Sequence, residues 1–232
     1  MKVQLAFASM AVGLCATSTL AGFENEVLAD WHGEAGTSYT YFESFQSASY
    51  GVFNAAYGPY GYTEDNANGG HSVAVVNFGN GAVVASSGNM YGADGALNIH
   101  TYAYTDTDAT GVHVNVSTGG STYDPASIGL AYTTADGGQG FITGFLAEFS
   151  MNYNETSTGP WGDVTSQNFS YTFDLSSVAG TVDSVGFFME SLGTNMSLDA
   201  LSIDIQSAVI PAPAALALLG LAGVAGRRRR RN

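Results

Sequence analysis

Between residues 3 and 226 the chain contains neither lysine nor arginine. Its six basic side chains are Lys2 and the block Arg227 to Arg231, whereas all 20 Asp and Glu fall between Glu24 and Asp204. The interior must therefore fold with no Lys or Arg ion pair available to it. Each carboxylate has to be solvated, hydrogen-bonded by N–H or O–H donors, or bound to a cation. With His counted as neutral, this stretch carries about −20 at neutral pH. Such a field repels phosphate backbones and excludes nucleic acid as a partner. It attracts divalent cations, and salt screens its self-repulsion.

The segregation of basic residues to the two ends points to targeting. Met1-Lys2 is a short positive region, Leu5 to Leu14 is mostly apolar, and Thr19 and Ala21 are small residues before a cut between Ala21 and Gly22. Residues 1–21 read as a secretory signal peptide removed by signal peptidase, so the protein is expected to be exported. Cys15, the single cysteine, leaves with it, and Leu14 stands where lipoprotein processing needs a smaller residue. The exported chain then has no thiol for disulfides, nucleophilic catalysis or Cys-type zinc sites.

At the other end, residues 208–226 are apolar and interrupted only by Pro211 and Pro213, and Arg227, Arg228, Arg229, Arg230 and Arg231 follow at once. A helix rises about 1.5 Å per residue and needs about 20 residues to cross a hydrocarbon core of about 30 Å. The stretch is just long enough for an apolar transmembrane helix. The arginines would stop it on the cytoplasmic side and leave the body outside.

This ordered ending, Pro211-Ala212-Pro213, then an apolar segment, then an arginine cluster, resembles the PEP-CTERM sorting signal recognised by exosortases. Ala212 departs from the glutamate usual at the centre of that motif, and the resemblance covers residues 208–232 alone. It implies transient insertion in the inner membrane and cleavage near Pro211 to Pro213 by an exosortase-type membrane protease. It also implies delivery of the body to the cell surface or extracellular matrix, commonly in bacteria that make exopolysaccharide.

Residues 22–207 form the working region. They are rich in Gly, Ser, Thr, Tyr, Phe and Val, include three prolines, and lack a long apolar stripe of period 3.6. Short alternating or apolar β-type runs occur at 72–78, 82–86, 97–104, 111–117, 128–133, 141–151, 169–175, 184–190 and 197–205, punctuated by Gly, Asn and Asp. His113-Val114-Asn115-Val116 and Ser170-Tyr171-Thr172-Phe173 have the period-2 pattern of strands with one wet face. These runs predict one all-β domain, an antiparallel β-sandwich of jelly-roll type, because two amphipathic sheets bury their apolar faces against each other. The chain carries no short internal repeat of the kind a β-helix needs.

The ends of that domain carry a second resemblance. Ala21-Gly22-Phe23-Glu24-Asn25, Val182 to Phe188 and Leu198-Asp199-Ala200-Leu201-Ser202-Ile203 look like the first and last strands of carbohydrate-binding-type jelly rolls. In such modules an early acidic residue and a late aspartate share a structural Ca2+. The resemblance puts these at Glu24 and Asp199, while Ala200 departs from the polar residue usual there. Separately, Asp106-Thr107-Asp108-Ala109-Thr110-Gly111 copies the opening half of a calcium loop, with Asp106 and Asp108 as alternating oxygen ligands. Ser117 stands where the closing glutamate would be, and a plain turn between two strands explains the same residues. Ca2+ is the one cofactor the sequence suggests.

Catalytic constellations are thin. His32, His71, His100 and His113 form no H-x-x-x-H pair, and neither a G-x-S-x-G elbow nor a P-loop occurs. Glu148 and Glu190 fall in strand-like runs, where a solvated carboxylate is the ordinary role; two facing carboxylates would be needed for glycoside hydrolysis. For sugar contact the expected residues are Trp31, Trp161 and, in the Gly/Pro-rich stretch from Tyr57 to Tyr62, Tyr57, Tyr60 and Tyr62. Four N-x-S/T sequons stand at Asn115, Asn154, Asn168 and Asn195. Two functions fit. One is a non-catalytic surface or matrix protein contacting exopolysaccharide; the other is a secreted polysaccharide-active glycosidase or lyase with the same sorting signal. The missing catalytic motifs favour the first.

Overall fold

A computed structural model describes residues 25–56, 60–65, 71–105, 107–159 and 162–208. The expected signal peptide, the Ala21/Gly22 cut, Pro211-Ala212-Pro213, the apolar helix and the arginine block lie outside the described residues. Among the described residues the regular structure is β-strand with two short 3-10 turns, and no helix is long and apolar enough to cross a membrane.

The strands form two antiparallel sheets. The first contains β1 (Thr37–Phe42), β3 (Tyr62–Asp65), β8 (Ala109–Gly120), β11 (Glu148–Gly159), β12 (Gly162–Asp174) and β14 (Met196–Ser207), in the order β11-β12-β8-β14-β1-β3. The short strands β5 (Val83–Val84) and β6 (Met90–Tyr91) attach to the start of β14. The second contains β2 (Phe53–Ala55), β4 (His71–Asn77), β7 (Asn98–Thr105), β9 (Gly129–Thr134), β10 (Gln139–Thr143) and β13 (Val182–Glu190), in the order β10-β9-β13-β7-β4-β2. The all-β expectation holds and the strands form two sheets. The run 141–151 is not one strand. It ends β10, passes through a 3-10 turn at Gly144–Leu146 and begins β11 in the other sheet.

Between the sheets lies the core. Val112, Val114 and Val116 of β8, Leu201, Ile203 and Ile205 of β14, and Phe169 and Phe173 of β12 point inward from the first sheet. Ile99, Leu130, Phe187 and Met189 meet them from the second. Each is an alternate residue of its strand, and burying each contributes about 1.5–3 kcal/mol.

The opposite face of the first sheet differs from the sequence expectation. His113, Asn115, Ser117, Asn168, Ser170, Ser202 and Asp204 point away from the core, yet all are buried. They join sideways into a ladder. Asn168 Nδ2 donates to Asn115 Oδ1 at 2.6 Å and to Ser117 Oγ at 2.8 Å. Asn152 marks the bulge where β11 shifts register against β12, and its Nδ2 donates to Asn168 Oδ1 at 2.8 Å.

The segment from Asn25 to Gly36 crosses this face. Val27 O accepts from His113 Nε2 at 2.8 Å and from Asn115 Nδ2 at 3.2 Å. Glu26 Oε1 accepts from Tyr39 Oη and Ser202 Oγ, each at 2.7 Å. His32 Nδ1 lies 2.9 Å from Asp204 Oδ1. The strands have the alternation expected, but their polar face is dry because a strap of backbone carbonyls and acidic side chains satisfies its donors.

Candidate functional site

Among the described residues no segment covers the outer face of the second sheet. Along β7, Ile99, Thr101 and Ala103 are buried, so Asn98, His100, Tyr102 and Tyr104 point outward. Antiparallel registry puts Glu190 of β13 beside Asn98, Phe188 beside His100 and Ser184 beside Tyr104. On the far side of β13, Phe188 meets Gly129 of β9. A Cβ at Gly129 would lie 2.1 Å from Phe141 Cζ, so glycine there lets the Phe141 ring lie across the sheet.

The rings form a continuous belt. His100 stands edge-on to Phe188 with centroids 4.5 Å apart and edge-on to Phe78 at 4.7 Å. Phe141 follows Phe188 at 6.1 Å, and Tyr50 follows Phe78 at 5.4 Å. Phe53 of β2 and Tyr102 add a second row at 5.7 Å. Phe141, Tyr104 and Phe53 are more than half exposed, at 56%, 64% and 58%. Such separations suit edge-to-face and offset ring pairs, which hold one another in place while leaving faces open.

An open groove of about 490 Å³ lies along this belt, lined by Asn98, His100, Asp124, Phe141, Phe188 and Glu190 among others. Its polar end is a relay. His100 Nε2 lies 2.7 Å from Asn98 Oδ1, and Asn98 Nδ2 donates to Glu190 Oε1 at 2.7 Å. A carboxylate only accepts, which fixes the Asn98 amide orientation and assigns the ring proton to Nε2. Burial pushes the His100 pKa below the ordinary histidine value, favouring the neutral ring. Its Nδ1 is buried without a hydrogen-bond partner. Asp124 stands across from Glu190: its N–H donates to Glu190 O at 2.7 Å, and its Oδ1 accepts from Ala126 N at 2.9 Å. Beyond Phe188 a smaller hollow of about 120 Å³ has Gly186 and Ala131 in its lining, together with Tyr102 and Tyr104.

Of the sugar-contact residues read from the sequence, the described ones, Trp31, Tyr60 and Tyr62, do not line this groove. Trp31 lies in the strap, with Cζ2 3.8 Å from the Cβ position of Gly111. Tyr62 is half exposed at the edge of the first sheet, 5.9 Å from Tyr41, and Tyr60 precedes it, half-buried. Tyr57 and Trp161 lie outside the described residues. Of the calcium candidates, Glu24 and Asp106 also lie outside them. Asp199 Oδ1 accepts from Ser197 Oγ at 2.6 Å, and Asp108 Oδ1 accepts from Val182 N at 2.8 Å. Among the described residues no group of three or more His, Cys, Asp or Glu is placed to hold a metal. Two sequons, Asn115 and Asn168, are wholly buried, whereas Asn154 and Asn195 are exposed.

The belt residues missed by sequence reasoning had one available signal. In Asn98-Ile99-His100-Thr101-Tyr102-Ala103-Tyr104, the larger and more polar residues alternate with small or aliphatic ones. Outward aromatics on a strand mark a face that does something other than meet water. Neither a family model nor a curated protein matches the chain.

Proposed function

We propose that the protein is an exported, non-catalytic cell-surface or matrix component whose second sheet binds exopolysaccharide on its outer face. The observation that carries this is the open belt from Phe78 through His100 and Phe188 to Phe141, with Asn98, Asp124 and Glu190 along one side. Rigid rings offer flat apolar faces to the C–H faces of sugars, and flanking polar groups take the hydroxyls. The jelly-roll reading is supported by β1-β14-β8-β12 facing β7-β13-β9-β10, with the chain passing between sheets at β7 to β8, β8 to β9, β10 to β11, β12 to β13 and β13 to β14.

Retention of the purified protein on a panel of immobilised polysaccharides tests the binding. Phe188→Ala and Tyr102→Ala should each weaken retention about twofold to tenfold, from ring contacts of roughly 0.5–1.5 kcal/mol. No retention of the parent chain, or equal retention of both variants, overturns the reading. A second reading, polysaccharide hydrolysis or elimination, is favoured by Asp124 and Glu190 lining one groove. Reducing-end or unsaturated-sugar release in the same experiment would select it.

Export and sorting rest on the two terminal segments. Lys2 and the following apolar run, together with Pro211, Pro213 and the arginine block, support removal by signal peptidase and by an exosortase-type protease. Mass spectrometry of the native exported protein should find an N-terminus at Gly22 and a C-terminus near Pro211 to Pro213. A mature chain that retains Arg231 and Asn232 would overturn the sorting half.

A further inference from the structure

The groove combines three features that narrow its ligand. Its charged side chains, Asp124 and Glu190, are both acidic, and Lys and Arg are absent from residue 3 to residue 226. Each carboxylate has one oxygen held by a neutral donor, Ala126 N for Asp124 and Asn98 Nδ2 for Glu190. They are oriented without being neutralised. The remaining lining is Asn98, Ala126 and Ser127, the Phe141 and Phe188 rings and the His100 imidazole.

An anionic sugar would meet these carboxylates inside the field of a body carrying about −20. A neutral sugar would use the rings and leave both charges uncompensated. An ammonium on a sugar ring complements all three features: two carboxylates to pair with, aromatic faces that attract cations, and an apolar platform for the C–H face.

We propose that the groove recognises a cationic amino-sugar unit, a hexosamine with a free ammonium, within the polysaccharide; this rests on the polysaccharide-binding reading above. The ammonium sits between Asp124 and Glu190, and the ring lies on Phe188 and Phe141. Recognition is thus by de-acetylation state: an N-acetyl group removes the charge that the two carboxylates select.

The test is calorimetric titration of the purified full-length chain with a glucosamine hexamer, an N-acetylglucosamine hexamer and a neutral glucan hexamer, at low salt. The glucosamine hexamer should bind at least about tenfold tighter than the N-acetylated one, each exposed carboxylate supplying roughly threefold to fivefold. Glu190→Gln and Asp124→Asn keep the acceptor oxygens that Asn98 and Ala126 use, so the fold is preserved while the charge is lost. Each should cut the preference about threefold to fivefold and leave N-acetyl binding within about twofold. Glu148→Gln with Glu155→Gln, both on exposed β11, controls for diffuse attraction and should leave the preference intact.

Equal binding of the two hexosamine hexamers overturns the proposal. So does a preference that survives Asp124→Asn with Glu190→Gln, or one that falls equally with the β11 pair. In those cases binding sensitive to Phe188→Ala leaves the polysaccharide reading standing. If no hexamer binds, both fall.

Discussion

At the centre of the first sheet the outward residues His113, Asn115, Ser117, Asn168, Ser170, Ser202 and Asp204 are polar and buried, with the half-buried rings of Tyr39 and Tyr41 beside them on β1. On the second sheet the outward residues include the rings His100, Tyr102, Tyr104, Phe188, Phe141 and Phe53, three of them more than half exposed. The two faces thus invert the usual pairing of polar with wet and apolar with dry. The first carries polar groups because another piece of chain lies on it: the strap brings Val27 O, Glu26 and His32, each of which needs a partner of matching chemistry. The second carries rings with no segment of the described chain laid across them. Large apolar area left open on a monomer is a binding surface in the ordinary case. Alternation reports which residues leave the core; it does not report what they meet outside it.

The largest effect should come from breaking the covered face at its centre. Asn168 is fully buried and serves Asn115, Ser117 and Asn152 at once. Asn168→Ala leaves those groups unpaired where water cannot easily replace the amide. The cost should be about 2–4 kcal/mol, a fall in melting temperature of roughly 5–15 °C for a domain of this size. Urea unfolding checks it, and a loss below about 1 kcal/mol would mean that the ladder is wet and the contrast between the faces is wrong.

The matching change on the open face should be nearly silent in stability. Tyr104 is 64% exposed and stands beside Ser184 and Ser72 on the outer surface. Tyr104→Ala should shift unfolding by no more than about 0.5 kcal/mol. A shift near that of Asn168→Ala would show Tyr104 to be structural and remove it from the binding face.

Much of the fold was legible because its core strands alternate cleanly. Runs such as 97–104 and 184–190 coincide with β7 and β13 to within two residues at either end. β1, Thr37–Phe42, was not legible: its Thr-Ser-Tyr-Thr-Tyr-Phe sequence offers hydroxyls and rings on both sides, because one side meets the sheet and the other meets the strap. The join at Gly144–Leu146 was hidden for a different reason. Phe145 and Leu146 continue the apolar run of β10 while being 77% and 79% exposed, so hydropathy ran on where the chain changed sheet.

The site was legible only in part. Searching Gly/Pro-rich loops for rings led to Tyr57, Tyr60 and Tyr62, whereas the belt is assembled from strands distant in sequence. Phe141, Phe188 and His100 are brought together by strand registry and by the absence of a side chain at Gly129. Glu190 was visible as a carboxylate in a strand, but its partnership with Asn98 needed the β7–β13 register.

The smallest expected effect sharpens the comparison at the edge of the covered face, where two influences on Asp204 oppose each other. Burial raises its pKa, and the His32 contact, the Ala29 N–H and the nearby His113 lower it; burial wins, and the carboxyl sits above the usual carboxylate range. A carboxyl with a folded pKa above its unfolded value holds its proton more tightly when folded. Its contribution to stability is therefore complete below the ordinary carboxylate range and is lost as pH rises through the raised folded value. Asp204→Asn removes this titration while keeping an Oδ1 acceptor for His32. Measured against the parent by urea unfolding, the variant should gain relative stability as pH rises from the ordinary carboxylate range through the raised folded value, and keep a constant offset above that. The constant offset is set by the new amide N–H2, placed where Oδ2 is now buried without a partner. A relative stability that instead falls with rising pH would mean that the His32 pair outweighs burial. The strap would then be held by an ion pair, and the covered face would owe its dryness to charge as much as to its amide ladder.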